Sequence, residues 1–239
     1  MQKAKHILAT DLDGTLVGDP EGLQQLLAFY EEQVYDVSLI YITGRYYDSA
    51  LSLIKDEELP IPDILVTDVG SSIYIGDSFE KDLEWETRIK SNWMPEQIEA
   101  IASAIPGLTK QPMFLENRCS YYVTEVEPVE ELTNKLAASD ISHKLIFSGG
   151  KDVDVVPVES GKGRALQYLL DKYKVQDAKL LVAGDSGNDL EMLTLGFPSV
   201  IVGNAQPELL ESEAHPRIFR AKKGFAGGIH EAWTHFHSE

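Results

Sequence analysis

Ala9-Thr10-Asp11-Leu12-Asp13-Gly14-Thr15-Leu16 sets two carboxylates two residues apart directly behind a short apolar run, and how this stretch is read decides the fold. The run itself, His6-Ile7-Leu8-Ala9-Thr10, has the length and composition of a buried strand that ends where the aspartates begin. Side chains alternate along a strand, so Asp11 and Asp13 share a direction only if the strand continues. Gly14 permits a turn that lets both point into one crevice. Open α/β sheets place their sites at the carboxyl ends of strands. A carboxylate pair there can attack a phosphorus atom, shuttle a proton and help a hard divalent cation hold a phosphate. For an isolated Asp-x-Asp, a helix N-cap followed by a second acid in a turn is the plain structural alternative.

With 239 residues, 43% of them apolar and 25% charged, the chain has ordinary globular composition and room for one large domain or for a core carrying a smaller insertion. Its net charge of −18, from 21 basic and 39 acidic residues, repels polyanions at long range and argues against a nucleic-acid or anionic-membrane surface. Any phosphate it handles must then be met by a few local cations. The single cysteine, Cys119, leaves no internal disulfide and no multi-cysteine zinc site, and is expected as a small buried side chain in a strand. No apolar run reaches about 18 residues and no long apolar segment precedes the first strand, so a soluble cytoplasmic protein is expected.

Downstream, strand and helix alternate. Leu23, Leu26, Leu27 and Tyr30 share a helical face, while Val37 to Thr43 and Ile64 to Thr67 read as further buried strands, which predicts a parallel α/β sheet with right-handed crossovers. The first of these two ends in Thr43-Gly44-Arg45, where a hydroxyl and the backbone N–H beside a glycine suit an anion, although a threonine N-cap explains the same residues. From residue 77 to 157 the texture changes to helices and alternating strands (Ser120 to Thr124, Lys144 to Ser148, Val153 to Val156), which predicts a small inserted α+β unit. The α/β pattern resumes with Ser160-Gly161-Lys162-Gly163-Arg164 at a helix start. A lysine there opposes the macrodipole unless helix end and ammonium jointly meet a phosphate. Lys179 to Ala183 is another buried strand, and it ends in Gly184-Asp185-Ser186-Gly187-Asn188-Asp189, an oxygen-rich loop that suits Mg²⁺. Near the end of the chain, His230, His235 and His237 are expected in a solvated final turn rather than on a metal.

Taken in this order, Asp11-Leu12-Asp13-Gly14-Thr15, Thr43-Gly44-Arg45, Lys162 and Gly184-Asp185-Ser186-Gly187-Asn188-Asp189 resemble the four motifs of the haloacid dehalogenase superfamily of phosphatases. The segment between the second and third resembles that superfamily's type-2 cap. Asp68-Val69-Gly70-Ser71, Ser148-Gly149-Gly150-Lys151-Asp152-Val153-Asp154 and Gly203-Asn204-Ala205-Gln206-Pro207-Glu208-Leu209 look like sucrose-phosphate phosphatases and their bacterial relatives.

The resemblance implies a Rossmann-like parallel-sheet core, residues 1–76 plus 158–239, with an inserted α+β cap at residues 77–157. It implies Mg²⁺-dependent hydrolysis of a sugar phosphate, sucrose 6-phosphate first, with mannosylfructose phosphate or mannosylglycerate phosphate as alternatives. Asp11 is then the nucleophile that forms an aspartyl-phosphate, and Asp13 the acid and base. Mg²⁺ is implied on the Asp11 carboxylate, the Asp13 carbonyl and Asp185, with Asp189 orienting metal-bound water or Lys162. Thr43, Gly44, Lys162 and Asn188 are the phosphate-binding residues. Sugar recognition falls to Arg45, Ser71, Arg118, Tyr121, Lys151, Asp152 and Asp154. A phosphomutase of the same superfamily and a non-catalytic sugar-phosphate-binding partner of a glycosyltransferase are the competing functions. A monomer is expected, without nucleic-acid or membrane partners, and with a transient complex with a sugar-phosphate synthase left open.

Overall fold

The computed structural model describes residues 6–112, 115–175, 178–213 and 215–237. Along them run β1 (His6–Thr10), α1 (Pro20–Glu31), β2 (Val37–Ile42), α2 (Tyr47–Asp56), β3 (Ile64–Thr67), β4 (Ser72–Ile75), β5 (Glu80–Lys81), α3 (Leu83–Ile89) and α4 (Pro95–Ser103). Next come β6 (Thr109–Lys110), β7 (Cys119–Tyr122), α5 (Glu127–Ala137), β8 (His143–Ser148), β9 (Asp152–Pro157) and α6 (Lys162–Lys172). The chain closes with β10 (Lys179–Gly184), α7 (Leu190–Leu193), β11 (Ser199–Ile201), α8 (Pro207–Leu210), β12 (Ile218–Arg220) and α9 (Phe225–His237).

The larger sheet has the order β12-β11-β10-β1-β2-β3-β4-β5. From β12 to β3 the neighbours run parallel, with Thr10 of β1 opposite Ala183 of β10 and Tyr41 of β2. The last two strands are antiparallel, which departs from the parallel sheet predicted from the sequence. The link from Asp68 to Ser71 is the cause, because a parallel crossover needs about a dozen residues and this short turn can deliver only a reversed strand. Strand order reverses between β1 and β10. In an open α/β sheet that reversal opens a crevice at the strands' carboxyl ends, which is where Asp11 and Asp185 stand.

β1 is buried on both faces, and this explains its unbroken apolar run. Ile7 and Ala9 face Ile40, Ile42, Val182 and the inner side of α6, while Leu8 faces Tyr41, Leu181 and Trp233 of α9. His237 is buried against Trp233, with ring centroids 4.9 Å apart, so the expectation of a solvated final turn fails for this histidine. His235 is exposed, and His230 packs on Phe29 at 4.5 Å.

The smaller sheet, β6-β7-β9-β8, is antiparallel. One face carries Cys119, Tyr121, Val153 and Val155 against Ile98 and Ala102 of α4 and Leu132 and Leu136 of α5. The two-residue period of a strand sends Ser120, Tyr122, Asp152 and Asp154 to the other face, where they pair across β7 and β9. The expected start of the inserted unit at residue 77 falls too early. β5 pairs with β4, and Trp85 and Ile89 of α3 lie in the larger core, so the smaller unit runs from α4 to β9. α3 hides this affiliation because it buries only two apolar residues, four apart, in a charged stretch.

Between the sheets' territories sits a strained turn. Asp68 and Val69 both have positive φ, 55° and 56°, and Gly70 follows at 94°. A Cβ on Gly70 would lie 2.2 Å from the carbonyl carbon of Gly161 and 2.6 Å from the backbone N of Lys162, so the turn is seated directly on the start of α6. Gly70→Ala is therefore expected to lower unfolding stability by about 1–3 kcal/mol, read as a lower urea midpoint at unchanged slope. A midpoint equal to wild type would show that α6 can back away at no cost.

Candidate active site

The sheet's central strand delivers Asp11 to the crevice. Its N–H donates to the Ala183 carbonyl at 3.0 Å, and the chain then closes a tight turn in which the Leu12 carbonyl accepts from Leu16 and Val17. Gly14, at φ +82°, lets the neighbouring loop approach: a Cβ there would sit 2.5 Å from Asp185 Oδ2. Thr15 Oγ1 donates to Asp185 Oδ1 at 3.0 Å. Asn204 Nδ2 donates to the Gly14 carbonyl at 2.8 Å, while its Oδ1 accepts the Phe225 N–H at 2.7 Å.

Lys162, the first residue of α6, is 1% exposed. Its ammonium donates to Asp11 Oδ1 at 2.6 Å and to Asp189 Oδ1 at 2.7 Å. The other Asp189 oxygen accepts the N–H groups of Asp185 and Ser186 at 3.0 and 3.1 Å, so this buried carboxylate closes its own loop while it orients the lysine. Burial works against the Lys162 charge, yet the two carboxylates hold its ammonium above the ordinary lysine range. Burial drives the Asp11 carboxyl well up, and the Lys162 charge only partly opposes it. Asp185 is pushed up to about 6 by burial and by the nearby charge of Asp189.

This site holds more negative charge than Lys162 offsets. Carboxylate oxygens of Asp11, Asp185 and Asp189 lie within 4.8 Å of one another. An all-oxygen set of this kind fits a hard divalent cation such as Mg²⁺. Asp11 and Asp185 are the freer donors, because both Asp189 oxygens are engaged by the lysine and the two amides.

Asp13 behaves differently. Its carboxylate is half exposed, and both oxygens are gripped by Arg45, through Nε and Nη2 at 2.7 Å each. Any metal contact by Asp13 is left to its backbone carbonyl. Arg45, expected on the sugar, is thus the partner of Asp13 at the cavity wall. Thr43 is fully buried, and its Oγ1 accepts the Arg45 N–H at 3.1 Å, which places it beneath the wall rather than on it. Gly44 and Asn188 face each other across the floor, with Asn188 Nδ2 4.0 Å from the position a Gly44 Cβ would take.

Above this floor opens a cavity of about 490 Å³, roofed by the polar face of the smaller sheet. Buried Arg118 and Asp154 pair with each other, Nε to Oδ1 at 2.9 Å, and Ser120 Oγ donates to the same Asp154 oxygen at 2.7 Å. Arg118 Nη1 also donates to the Gly44 carbonyl, tying the two units together. Their charges are mutually satisfied, so these two residues shape the wall. Asp152 accepts from Gln111 Nε2 at 3.1 Å, and burial raises its carboxyl. Lys151 is exposed at the rim.

Two expected sugar contacts are absent from the lining. Ser71 is fully buried in the turn after β3, where its Oγ donates to the Asp68 carbonyl at 2.6 Å. Tyr121 is 3% exposed in the smaller core, because strand parity turns it towards the helices, and its neighbour Tyr122 lines the cavity instead. Tyr46, Ser49, Gln111, Ser148 and Gln206 also line it and were missed. Parity relative to the carboxylates of β9 was the available signal for Tyr122, whereas Gln111 and Ser49 have no local signature.

Residues 4–237 match the family model described as sucrose-6F-phosphate phosphohydrolase. A probable sucrose-phosphatase 2 of Arabidopsis thaliana is 36% identical over 96% of this chain and 59% of its own length. The mannosylfructose-phosphate phosphatase of Agrobacterium fabrum is 30% identical over 98% of both chains. Among solved structures, the sucrose-phosphatase of Synechocystis sp. PCC6803 in complex with sucrose and phosphate superposes with a TM-score of 0.92 at 36% identity, covering 98% of each chain. The chain spans 30% to 59% of the length of several curated relatives. Among the described residues, no helix is long and apolar enough to cross a membrane.

Proposed function

Because the chain belongs to the sucrose-6F-phosphate phosphohydrolase family, we propose that it hydrolyses a sugar phosphate, with sucrose 6-phosphate as substrate, through an aspartyl-phosphate on Asp11. The observation that carries this is the buried Asp11–Lys162–Asp189 array beside Asp185, opening into a cavity roofed with hydrogen-bonding side chains from a second unit. Such a pairing of an anion-handling floor with a hydroxyl-reading roof suits a phosphorylated polyol.

In the proposed reaction an Asp11 oxygen attacks phosphorus in line while Lys162 fixes the carboxylate and meets the incoming phosphoryl charge. Gly44 and Asn188 contribute hydrogen bonds to the phosphoryl oxygens, and Thr43 supports them from below. Asp13 gives a proton to the departing sugar oxygen and later takes one from the attacking water. The forked grip of Arg45 suits a phosphate as well as a carboxylate, so substrate arrival can draw the guanidinium from Asp13 and leave its carboxylate to take up from solvent the proton it then gives to the departing oxygen. Asp11, Asp185 and the Asp13 backbone carbonyl would hold a Mg²⁺, which would supply Lewis-acid neutralisation of the phosphoryl group. The unit from α4 to β9 acts as the cap, with Lys151, Asp152, Gln111 and Tyr122 reading the sugar.

The test is phosphate release with Mg²⁺ across phosphorylated mono- and disaccharides. Sucrose 6-phosphate is expected to give the highest kcat/KM. Mannosylfructose phosphate is the second substrate to try, favoured by the Agrobacterium fabrum relative that matches from end to end. Transfer of the phosphoryl group to another carbon would make the protein a mutase, and absence of turnover would make it a binding protein. Lys151→Ala is expected to lower kcat/KM for sucrose 6-phosphate about tenfold by removing a hydrogen-bonding group worth about 1–3 kcal/mol. The loss on p-nitrophenyl phosphate, which lacks the sugar, should be much smaller. Equal losses would assign Lys151 to the chemistry or the fold instead.

A further inference from the structure

Contacts that cross from the smaller sheet to the larger unit include Arg118 to the Gly44 carbonyl, Lys144 of β8 to Glu191 of α7 at 2.6 Å, and a bond from the turn between β8 and β9 to Glu208 of α8. The last has a feature the others lack. One carboxylate oxygen, Glu208 Oε1, accepts the N–H of Gly149 at 3.3 Å and also the N–H of Gly187 at 3.4 Å.

These two amides belong to the two segments the proposed reaction most needs in register. Gly149 opens the turn that delivers Lys151 and Asp152 to the cavity, and Gly187 sits inside the loop between Asp185 and Asp189. Glycine suits both positions, the first through its backbone conformation and the second through the nearness of the Glu208 side chain. Gly149 has φ +59°, and a Cβ on Gly187 would stand 3.2 Å from Glu208 Cγ and 3.6 Å from the Phe147 carbonyl. The support beneath the carboxylate is firm: Leu209 beside it is fully buried, and the Gln206 N–H donates to the Asp185 carbonyl at 2.7 Å.

We infer that Glu208 is a positioning residue that sets the sugar-reading turn in register with the Asp185–Asp189 loop. It touches neither the substrate nor the reacting atoms. With both amides on one oxygen, the turn is held where the loop is, so Lys151 and Asp152 meet a sugar whose phosphate lies over Asp11. Bonds to an ionised acceptor are stronger than neutral ones, and small displacements of a substrate reader weaken recognition steeply. This inference deepens the sugar-phosphatase proposal and rests on it.

The test compares Glu208→Ala and Glu208→Gln in the full chain with Mg²⁺, using sucrose 6-phosphate and p-nitrophenyl phosphate, and adds amide hydrogen exchange over residues 148–152 without substrate. Glu208 is exposed, so the variants keep the fold. The alanine variant is expected to raise KM for sucrose 6-phosphate about tenfold, leave p-nitrophenyl phosphate turnover within about twofold, and speed exchange in the turn about tenfold. Glutamine keeps an oxygen that accepts both N–H groups, and should bring KM back to within about threefold of wild type. Equal losses on both substrates would place Glu208 with the Asp185 loop alone and overturn the inference, as would unchanged KM and exchange. If the wild-type protein turns over no sugar phosphate, the functional proposal fails by itself. Exchange in the turn then decides the inference, faster in the alanine variant supporting it and unchanged overturning it.

Discussion

Asp11→Asn is expected to bring phosphate release below about a hundredth of wild type, since the amide keeps the shape of the carboxylate and removes its attacking oxygen. Stability should not fall with activity. Asp11 shares its buried site with Asp185 and Asp189, and burial already drives its carboxyl well above the ordinary range. An ionised Asp11 is thus held at a cost when no metal is bound, and Lys162 retains its 2.7 Å bond to Asp189 after the substitution. The sign follows from proton linkage. A raised carboxyl binds its proton more tightly in the folded state, so wild-type stability declines as pH climbs from the unfolded carboxylate range through the folded value. Without metal, the melting temperature of the variant should equal or exceed that of wild type at neutral pH, and the gap should close in acid. Calorimetry with chelator present, beside a phosphate-release assay, measures both. Activity above about one part in a hundred would remove Asp11 from the nucleophile's place.

Removal of divalent metal is expected to stop turnover completely, and Mg²⁺ to restore it. The three carboxylates meet within 4.8 Å and face one buried ammonium, that of Lys162, an imbalance that a hard cation relieves. A readout independent of catalysis is available, because a ligand that binds the folded state raises the melting temperature with its concentration. Asp185 must be ionised to hold the metal, and its carboxyl is pushed up to about 6. The Mg²⁺-induced rise in melting temperature should therefore be large near pH 8 and fade as pH drops below about 6. Full activity after exhaustive chelation would sink the proposed chemistry, and a melting temperature indifferent to Mg²⁺ would sink the assignment of the metal to these residues.

Much of the floor is legible in the sequence alone, because its residues lie at or near the ends of apolar runs. Strands buried on both faces announce themselves, and Asp11 and Asp185 follow two of them directly, with Asp189 four residues beyond Asp185. Lys162 was legible because a lysine at a helix start is electrostatically out of place. The roof was harder. Tyr121 and Tyr122 are adjacent, and choosing between them needs the pairing of Ser120 with Asp154 and Tyr122 with Asp152, which is tertiary information. Arg45 was placed on the sugar because sequence cannot show that its fork already closes on Asp13. The limits of the inserted unit were blurred by α3, whose two buried residues sit among charges. The antiparallel edge could have been foreseen from the brevity of the link after Thr67.

The alternation along β7 and β9 has a consequence for how such a protein can diversify. Cys119, Tyr121, Val153 and Val155 hold the smaller unit together, while their immediate neighbours Tyr122 and Asp152 line the cavity. Foldability and selectivity are thus written on interleaved positions that barely share atoms. Substitutions at Tyr122 and Asp152 can redraw the cavity wall without loosening the apolar layer behind them. On the proposed function, descendants of one ancestor could therefore drift among phosphorylated disaccharides while the floor, and the reaction proposed for it, stays the same.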